Sequence, residues 1–313
     1  VDARTWLGLE PTHDPMRWVL PVAPGICTGA RFLFGGCGLG AAIEALEAVT
    51  GRPLIWATAQ YLSYAKPPEV LDIDVTVAVA GRQVTQARAV GHVGDREILT
   101  VNAALGQRSL PDEGQWAQRP EVPEPEACAP RQGRFGGTEV RAVRAPRDAG
   151  AGASSPGVDG CGAQPHADAE STTDRLEVST TDRLDLSIMD RLDLRLASAR
   201  PLDELPGEGM PHGRSALWAR LPEVLEVSPA SLAILGDYVP FGIGQALGAR
   251  AGGNSLDNTL RVVRVVPTEW LLLDIRVHAV ANGFGHGVVH LWAEDGTLAA
   301  TASQSTIVRH WRD

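Results

Sequence analysis

The chain has 313 residues, enough for two average domains, and its 44% hydrophobic content can fill their cores. A net charge of -10 and a pI near 5.3 exclude a general nucleic-acid binder, which needs a basic footprint. No apolar run approaches the ~18 residues of a membrane span, and the opening VDARTWLGLE lacks a basic stretch followed by an apolar one, so neither a span nor a signal peptide is expected and the expected compartment is the cytoplasm.

The first predicted element is a Gly-rich, mostly apolar helix, FLFGGCGLGAAIEALEAV (Phe32–Val49). Its glycines miss the full Gly-x-Gly-x-x-Gly spacing of a dinucleotide site and lack a parallel βαβ context. Cys37 beside the helix start reads as a small packing residue or, less simply, as a thiol of lowered pKa. With Cys27, Cys128 and Cys161 it shows no Cys-x-x-Cys spacing, which argues against a zinc site or disulfide framework. Strands joined by short turns follow, from KPPEVLDIDV (Lys66–Val75) to REILTVNAAL.

From Gln107 to about Ser171 the chain is rich in Pro, Gly, Ala and Arg. Such composition buries too little apolar surface to offset ordering entropy, and it reads as a linker. An eight-residue unit then repeats Asp-Arg-Leu at Asp174, Asp182 and Asp190. Leu192, Leu194 and Leu196 alternate with charged residues, a half-buried strand signal that opens the second domain. GRSALWARLPE (Gly213–Glu223) is the next expected strand.

Ser228 followed by Pro229 is a good helix start. From Pro229 to Ala249 the only charged residue is Asp237, and a helix apolar on nearly all sides is buried on nearly all sides. A lone carboxylate there is either a capping group beside Pro240 or a general base, since perturbed carboxylates cluster at functional sites. GGNSLDNTLRVV (Gly252–Val263) is ordinary for a turn entering a strand, yet it offers the Ser255 hydroxyl and two carboxamides. The last strand, LAATASQSTIVRHW, sets Leu298, Ala300, Ala302, Gln304 and Thr306 on one face, so an amide is aimed at the core. His286 and His290 also share a strand face, which suits a metal pair less well than an ordinary edge pair.

The order of elements repeats. At an offset of 200, Pro67 meets Pro267, Glu69 meets Glu269, Leu71 meets Leu271, Asp74 meets Asp274 and Val77 meets Val277. Each half reads as an apolar helix followed by three or four strands, the pattern of a duplication.

These residues resemble the acyl-CoA thioesterase II family. FLFGGCGLGAAIEAL resembles its first-domain helix, with its Phe-Gly-Gly entry, and ATAQYLSYAKPPEVLDIDV the strand that follows. LAILGDYVP, NSLDNTLRVVR and EDGTLAATASQSTIVR resemble the three segments that carry its active-site Asp, Ser/Thr and Gln. The resemblance implies an α+β double hotdog, two antiparallel sheets each wrapped on a helix, with domains over 1–112 and 186–313 and a connection over 113–185. It implies hydrolysis of a fatty acyl-CoA without a cofactor or metal. Asp237 would activate a water held by Ser255 and Gln304. Backbone N–H groups at a helix N-terminus suit the oxyanion, and the glycine-rich entries around Gly35, Gly36 and Gly38, or near Gly236, are the candidates. In the first half Cys37, Ile55 and Ala104 take the three polar positions, so one site per chain is expected, in the second repeat. Asp257, Asn258 and Thr259 stand where the family often has Asp-His-Ser. No nucleic-acid partner is expected, and the assembly implied is a homo-oligomer of double hotdogs. The alternatives are a non-catalytic acyl-CoA-binding protein and a hotdog-fold hydratase or dehydratase.

Overall fold

A computed structural model describes residues 1–131, 186–201, 204–205, 207–220 and 225–311. The first half carries α1 (Ala3–Leu7), β1 (Glu10–Pro11), β2 (Arg17–Pro21), α2 (Gly35–Thr50), β3 (Leu54–Tyr61), β4 (Val70–Ala80), β5 (Val84–Val93) and β6 (Arg96–Gly106). The second carries β7 (Ala129–Pro130), α3 (Ile188–Arg191), β8 (Asp193–Ser198), β9 (Arg214–Arg220), α4 (Pro229–Gly236), α5 (Val239–Leu247), β10 (Ala251–Ser255), β11 (Asp257–Val262), β12 (Leu271–Ala281), β13 (Phe284–Ala293) and β14 (Leu298–His310). The strands form one antiparallel sheet in the order β1-β2-β4-β5-β6-β3-β11-β14-β13-β12-β9-β8-β7, with β10 also paired to β14. Its two halves curl around α2 and around α4–α5, so the architecture is the α+β double hotdog. No helix among the described residues is long and apolar enough to cross a membrane.

The halves meet where β3 pairs with β11, Thr58 opposite Thr259 with their hydroxyls bonded. On the helix side of that seam α2 lies against α4 at backbone distance. A Cβ on Gly36 would sit 2.9 Å from the Ala233 carbonyl oxygen, and one on Gly40 3.1 Å from that of Ala230. Glycine is therefore required at these two crossings, which explains the Gly-rich helix.

The duplication survives in details that side-chain identity does not carry. The register slips between Val77 and Val79 in the β4–β5 pair and between Val277 and Ala279 in the β12–β13 pair. It slips again at Gly91/His92 and at Leu291/Trp292. Asp74 and Asp274 both face outward to an arginine on the neighbouring edge-ward strand, Arg17 at 2.6 Å and Arg214 at 3.6 Å.

Three sequence expectations need correction. The apolar helix of the second half is broken in two: α4 ends at Gly236 and α5 begins at Val239, with Asp237 between them at ψ 54°. Pro240 has no N–H to continue the ladder, and the freed groups take other partners.

The described part of the expected linker, residues 107–131, is no loose tether. It straps across the outer face of the second sheet, where Cys128 and Val122 pack with the buried indoles of Trp218, Trp270 and Trp292. Trp218 Nε1 donates to the Pro123 carbonyl at 2.8 Å. Gln115 brackets the β13–β14 turn, accepting from Leu298 N–H at 2.7 Å and donating to the Gly296 carbonyl at 3.1 Å. Three of the chain's eight tryptophans thus make a second apolar layer on a sheet face that would otherwise meet water, with Arg119 over Trp218 and Arg220 over Trp270.

The last Asp-Arg-Leu copy also docks on the first half before β8 begins. Ile188 N–H donates to the Cys27 carbonyl at 2.8 Å, and Arg191 donates to that of Gly25 at 3.0 Å. Asp174, Asp182 and Cys161 lie outside the described residues.

Candidate active site

Asp237 is the residue at which the second-half helix breaks. Ser228 caps α4 by accepting the Ser231 N–H at 3.2 Å, with Pro229 in the first turn, as the sequence requires. The helix then runs eight residues and delivers Asp237 to its C-terminal end, 6% exposed. The next helix starts three residues on, with an N–H at Val239 that no preceding turn can satisfy.

Gln304 supplies that partner. Its Oε1 accepts the Val239 N–H at 3.0 Å. A carbonyl oxygen must face that N–H, so the amide nitrogen faces the other way, donating to Asp237 Oδ1 and to Ser255 Oγ, the latter at 2.9 Å. Ser255 Oγ in turn donates to Asp237 Oδ1 at 3.2 Å. Ser255 ends β10, and the chain kinks at Leu256, whose N–H donates to the Ser305 carbonyl at 2.8 Å, before β11 resumes. The kink turns the hydroxyl toward the helix break. Asp237, Ser255 and Gln304 thus form one hydrogen-bonded cluster, the arrangement of a hydrolytic hotdog enzyme.

The other carboxylate oxygen reaches across the molecule. Asp237 Oδ2 accepts the N–H of Gly36, in the first turn of α2, at 2.7 Å. The sequence points to a site made by the second repeat alone. The structure instead seats the carboxylate on a helix N-terminus from the first repeat, where the macrodipole favours an anion. Burial pushes the Asp237 carboxyl above its ordinary range, while the donors from Gln304, Gly36 and Ser255 pull it back.

This changes the expected oxyanion donors. The Gly36 N–H is spent on Asp237 and that of Gly38 on the Phe34 carbonyl at 3.0 Å. Gly236 closes α4 beneath Ala302. Gly36 and Gly38 therefore have no free N–H for a substrate, and Gly35 is the candidate left at the α2 start.

A residue the sequence reading missed stands closer. Tyr61, at the end of β3, has a buried Oη beside the buried Asn258 amide, near enough for that amide to favour the phenolate but short of full hydrogen-bonding geometry. A Cβ on Gly35 would lie 2.7 Å from Asp237 Oδ2 and 3.1 Å from Tyr61 Oη, so both groups reach the same point and only glycine leaves it open. Burial, and then the neighbouring Asp237 charge, hold the phenol well above its usual range, so it stays protonated. An isolated tyrosine at a strand end gives no sequence signal.

Gly35, Tyr61, Asp237 and Ser255 open on a cavity of 270 Å³ whose rim carries Arg309 and Trp311. Of the three first-half positions, Cys37 is buried in the first-half core and Ile55 is half-buried. Ala104 is buried but stands outside that core, which its neighbour Ala103 joins. Burial drives the Cys37 thiol well above its ordinary value, which makes it a packing residue. His286 and His290 lie away from this cavity, the first against Ser305 Oγ at 3.2 Å and the second stacked on Trp292. Among the described residues no three His, Cys, Asp or Glu side chains are grouped to hold a metal.

Comparison with known proteins follows the same lines. Residues 163–308 match the family model of the acyl-CoA thioesterase C-terminal domain. A protein provisionally named a thioesterase, from Novosphingobium aromaticivorans DSM 12444, is 28% identical, with a TM-score of 0.70 over 95% of this chain and 97% of that one. A hot dog fold protein of unknown function from Alicyclobacillus acidocaldarius is 16% identical with a TM-score of 0.71, over 96% of each chain. The acyl-CoA thioesterase II of Mycobacterium marinum is 16% identical with a TM-score of 0.66, over 99% of this chain and 98% of that one. At such identity these last two speak for the fold alone. No curated protein matches. The chain is a hotdog-fold, acyl-CoA-thioesterase-like protein.

Proposed function

We propose that the chain hydrolyses an acyl thioester, with acyl-CoA as its carrier, to free acid and thiol. The observation that carries this reading is the buried Asp237 carboxylate, held by Ser255, Gln304 and Gly36 N–H at the end of an apolar cavity. A carboxylate in that setting is a base without a cation to silence it. A water beside Asp237 and Ser255 loses its proton to Asp237 as its oxygen attacks the thioester carbon. Base assistance of this kind typically contributes ~10²–10⁴-fold. Charge moves to the carbonyl oxygen, and the Tyr61 hydroxyl, with the first N–H of α2 at Gly35, is placed to receive it. When the tetrahedral intermediate collapses, the C–S bond breaks and the thiolate takes the proton back from Asp237.

Ser255 does not attack: its hydroxyl donates to the carboxylate directly, and among the described residues no histidine lines the cavity to activate it. The same described lining offers no acid–histidine pair of the kind a hydratase would use. A pure carrier has no use for a buried carboxylate with three donors around it. Arg309 on the rim is the cation available to a CoA phosphate. We keep the cytoplasm as the proposed compartment and a homo-oligomer of double hotdogs as the proposed assembly. Thiol release from acyl-CoA by the purified chain, compared with its Asp237→Asn variant, tests the reading.

A further inference from the structure

The aromatic residues of this protein are not spread evenly. They make up 5% of the chain. All three tyrosines, Tyr61, Tyr64 and Tyr238, line the cavity at Asp237, as do three of the five phenylalanines, Phe32, Phe34 and Phe241. Trp311 closes the rim. The main core is built mostly from Leu, Ile, Val and Ala, and Phe34, Tyr238 and Phe241 stand where it meets the cavity. A cavity shaped for an aliphatic chain would draw on that aliphatic stock, but among the described residues only Leu33 and Met189 of the long aliphatic side chains reach it.

The rings also sit close on bare backbone. The tip of Tyr61 approaches Gly35, where a Cβ would be 3.0 Å from Cζ, and the benzo edge of Trp311 approaches Gly252, where it would be 2.6 Å from Cζ2. Phe32 and Tyr64 meet at 4.7 Å between centroids, tilted by 54°. The slot is thus bordered by aromatic faces and edges, which reward another ring.

The slot is also short. Its 270 Å³ falls just under the ~300–1,000 Å³ of pockets that enclose drug-sized ligands. Beside it α2 and α4 approach to backbone contact at Gly36 and Gly40, which leaves no room for an acyl chain between the helices at those crossings.

We propose that the acyl group of the substrate is compact and aromatic, an arylacyl or arylalkanoyl thioester, in place of the long fatty acyl chain that the sequence resemblance implies. This rests on the thioesterase reading. The ring occupies the slot, its carbonyl lies between Tyr61 Oη and the water at Asp237, and the thiol portion leaves past Arg309.

Two measurements on the native chain test it. The first is thiol release from phenylacetyl-, benzoyl-, hexanoyl- and palmitoyl-CoA. The expected kcat/KM for the better aryl substrate is at least tenfold above hexanoyl and a hundredfold above palmitoyl. The second is calorimetric binding of uncleavable thioethers, phenethyl-CoA against hexyl-CoA and hexadecyl-CoA, with at least tenfold tighter binding expected for phenethyl. Equal or better turnover or binding of the alkyl ligands overturns the proposal. If no thioester is cleaved while phenethyl-CoA still binds at least tenfold more tightly, the hydrolytic reading falls and the aromatic slot stands.

Discussion

Gln304 holds Asp237 with the same amide whose oxygen caps the next helix: Nε2 donates to the carboxylate while Oε1 accepts the Val239 N–H. One side chain closes the helix break that exposes the carboxylate and fixes the carboxylate within it. The bland role for a buried amide, satisfying backbone, and the functional role are the same residue seen from its two ends.

That double use predicts a double penalty. Gln304→Ala leaves a buried N–H and a buried carboxylate each short of a partner, at a cost of about 1–3 kcal/mol. Urea melts should show this loss, and thioester turnover should fall less than in Asp237→Asn, because Ser255 still holds the water. Combined with Asp237→Asn, the effect on turnover should be less than additive. Unchanged stability in Gln304→Ala would contradict the capping role.

Tyr61 is tested by the loss of one oxygen. Tyr61→Phe keeps the ring that packs on Gly35 and removes the only atom able to donate. We expect kcat to fall by ~10²-fold with KM nearly unchanged, the signature of a contact made in the transition state. A change confined to KM would reassign Tyr61 to the slot wall.

The acid limb of the pH profile carries the state of Asp237. Burial raises this carboxyl in the free protein, and base catalysis needs it ionised. The kcat/KM of the native chain should therefore rise with pH along a limb whose midpoint lies above the ordinary carboxylate range. A midpoint at or below that range would mean that the donors outweigh burial.

Glu44 gives a separate pH signature, in stability. Half-buried on α2 beside Glu47, it is pushed up from 4.5 to about 7 by burial and then by its neighbour's charge. The folded state therefore holds a proton there that the unfolded state has lost, and stability falls as pH rises from about 4.5 to about 7. Glu44→Gln should raise the melting temperature at pH 8 and leave it near the native value at pH 4. Calorimetry at the two pH values checks this.

Much of the frame was legible. Period-two alternation identified β8 and β14, although a bulge turns Leu298 away from Ala300 and Ala302 into the tryptophan layer. The Ser-Pro start identified α4, and an offset of 200 identified a duplication that the matched bulges now display. What stayed hidden depends on partners distant in sequence. Nothing local to Gly36 announces a carboxylate two hundred residues away. The break at Asp237 needed the Val239 N–H to find Gln304, a contact no helical pattern contains. Composition also misled: residues 113–131 are Pro-rich because they lie extended over a tryptophan face, where Pro123 serves as an acceptor for Trp218. Proline content marks the absence of regular structure, and burial is decided by what the segment covers.

The most direct test of the central claim is thioester turnover by Asp237→Asn. The amide keeps the shape: its oxygen can still accept from Gly36 N–H, and the Ser255 hydroxyl can turn to accept from its nitrogen. That nitrogen faces the Gln304 donor, so some stability is lost, but the fold should survive by circular dichroism and melting. It cannot take a proton from water, so turnover of the best acyl-CoA substrate should fall by ~10²-fold or more. A folded Asp237→Asn protein with native activity would contradict the account.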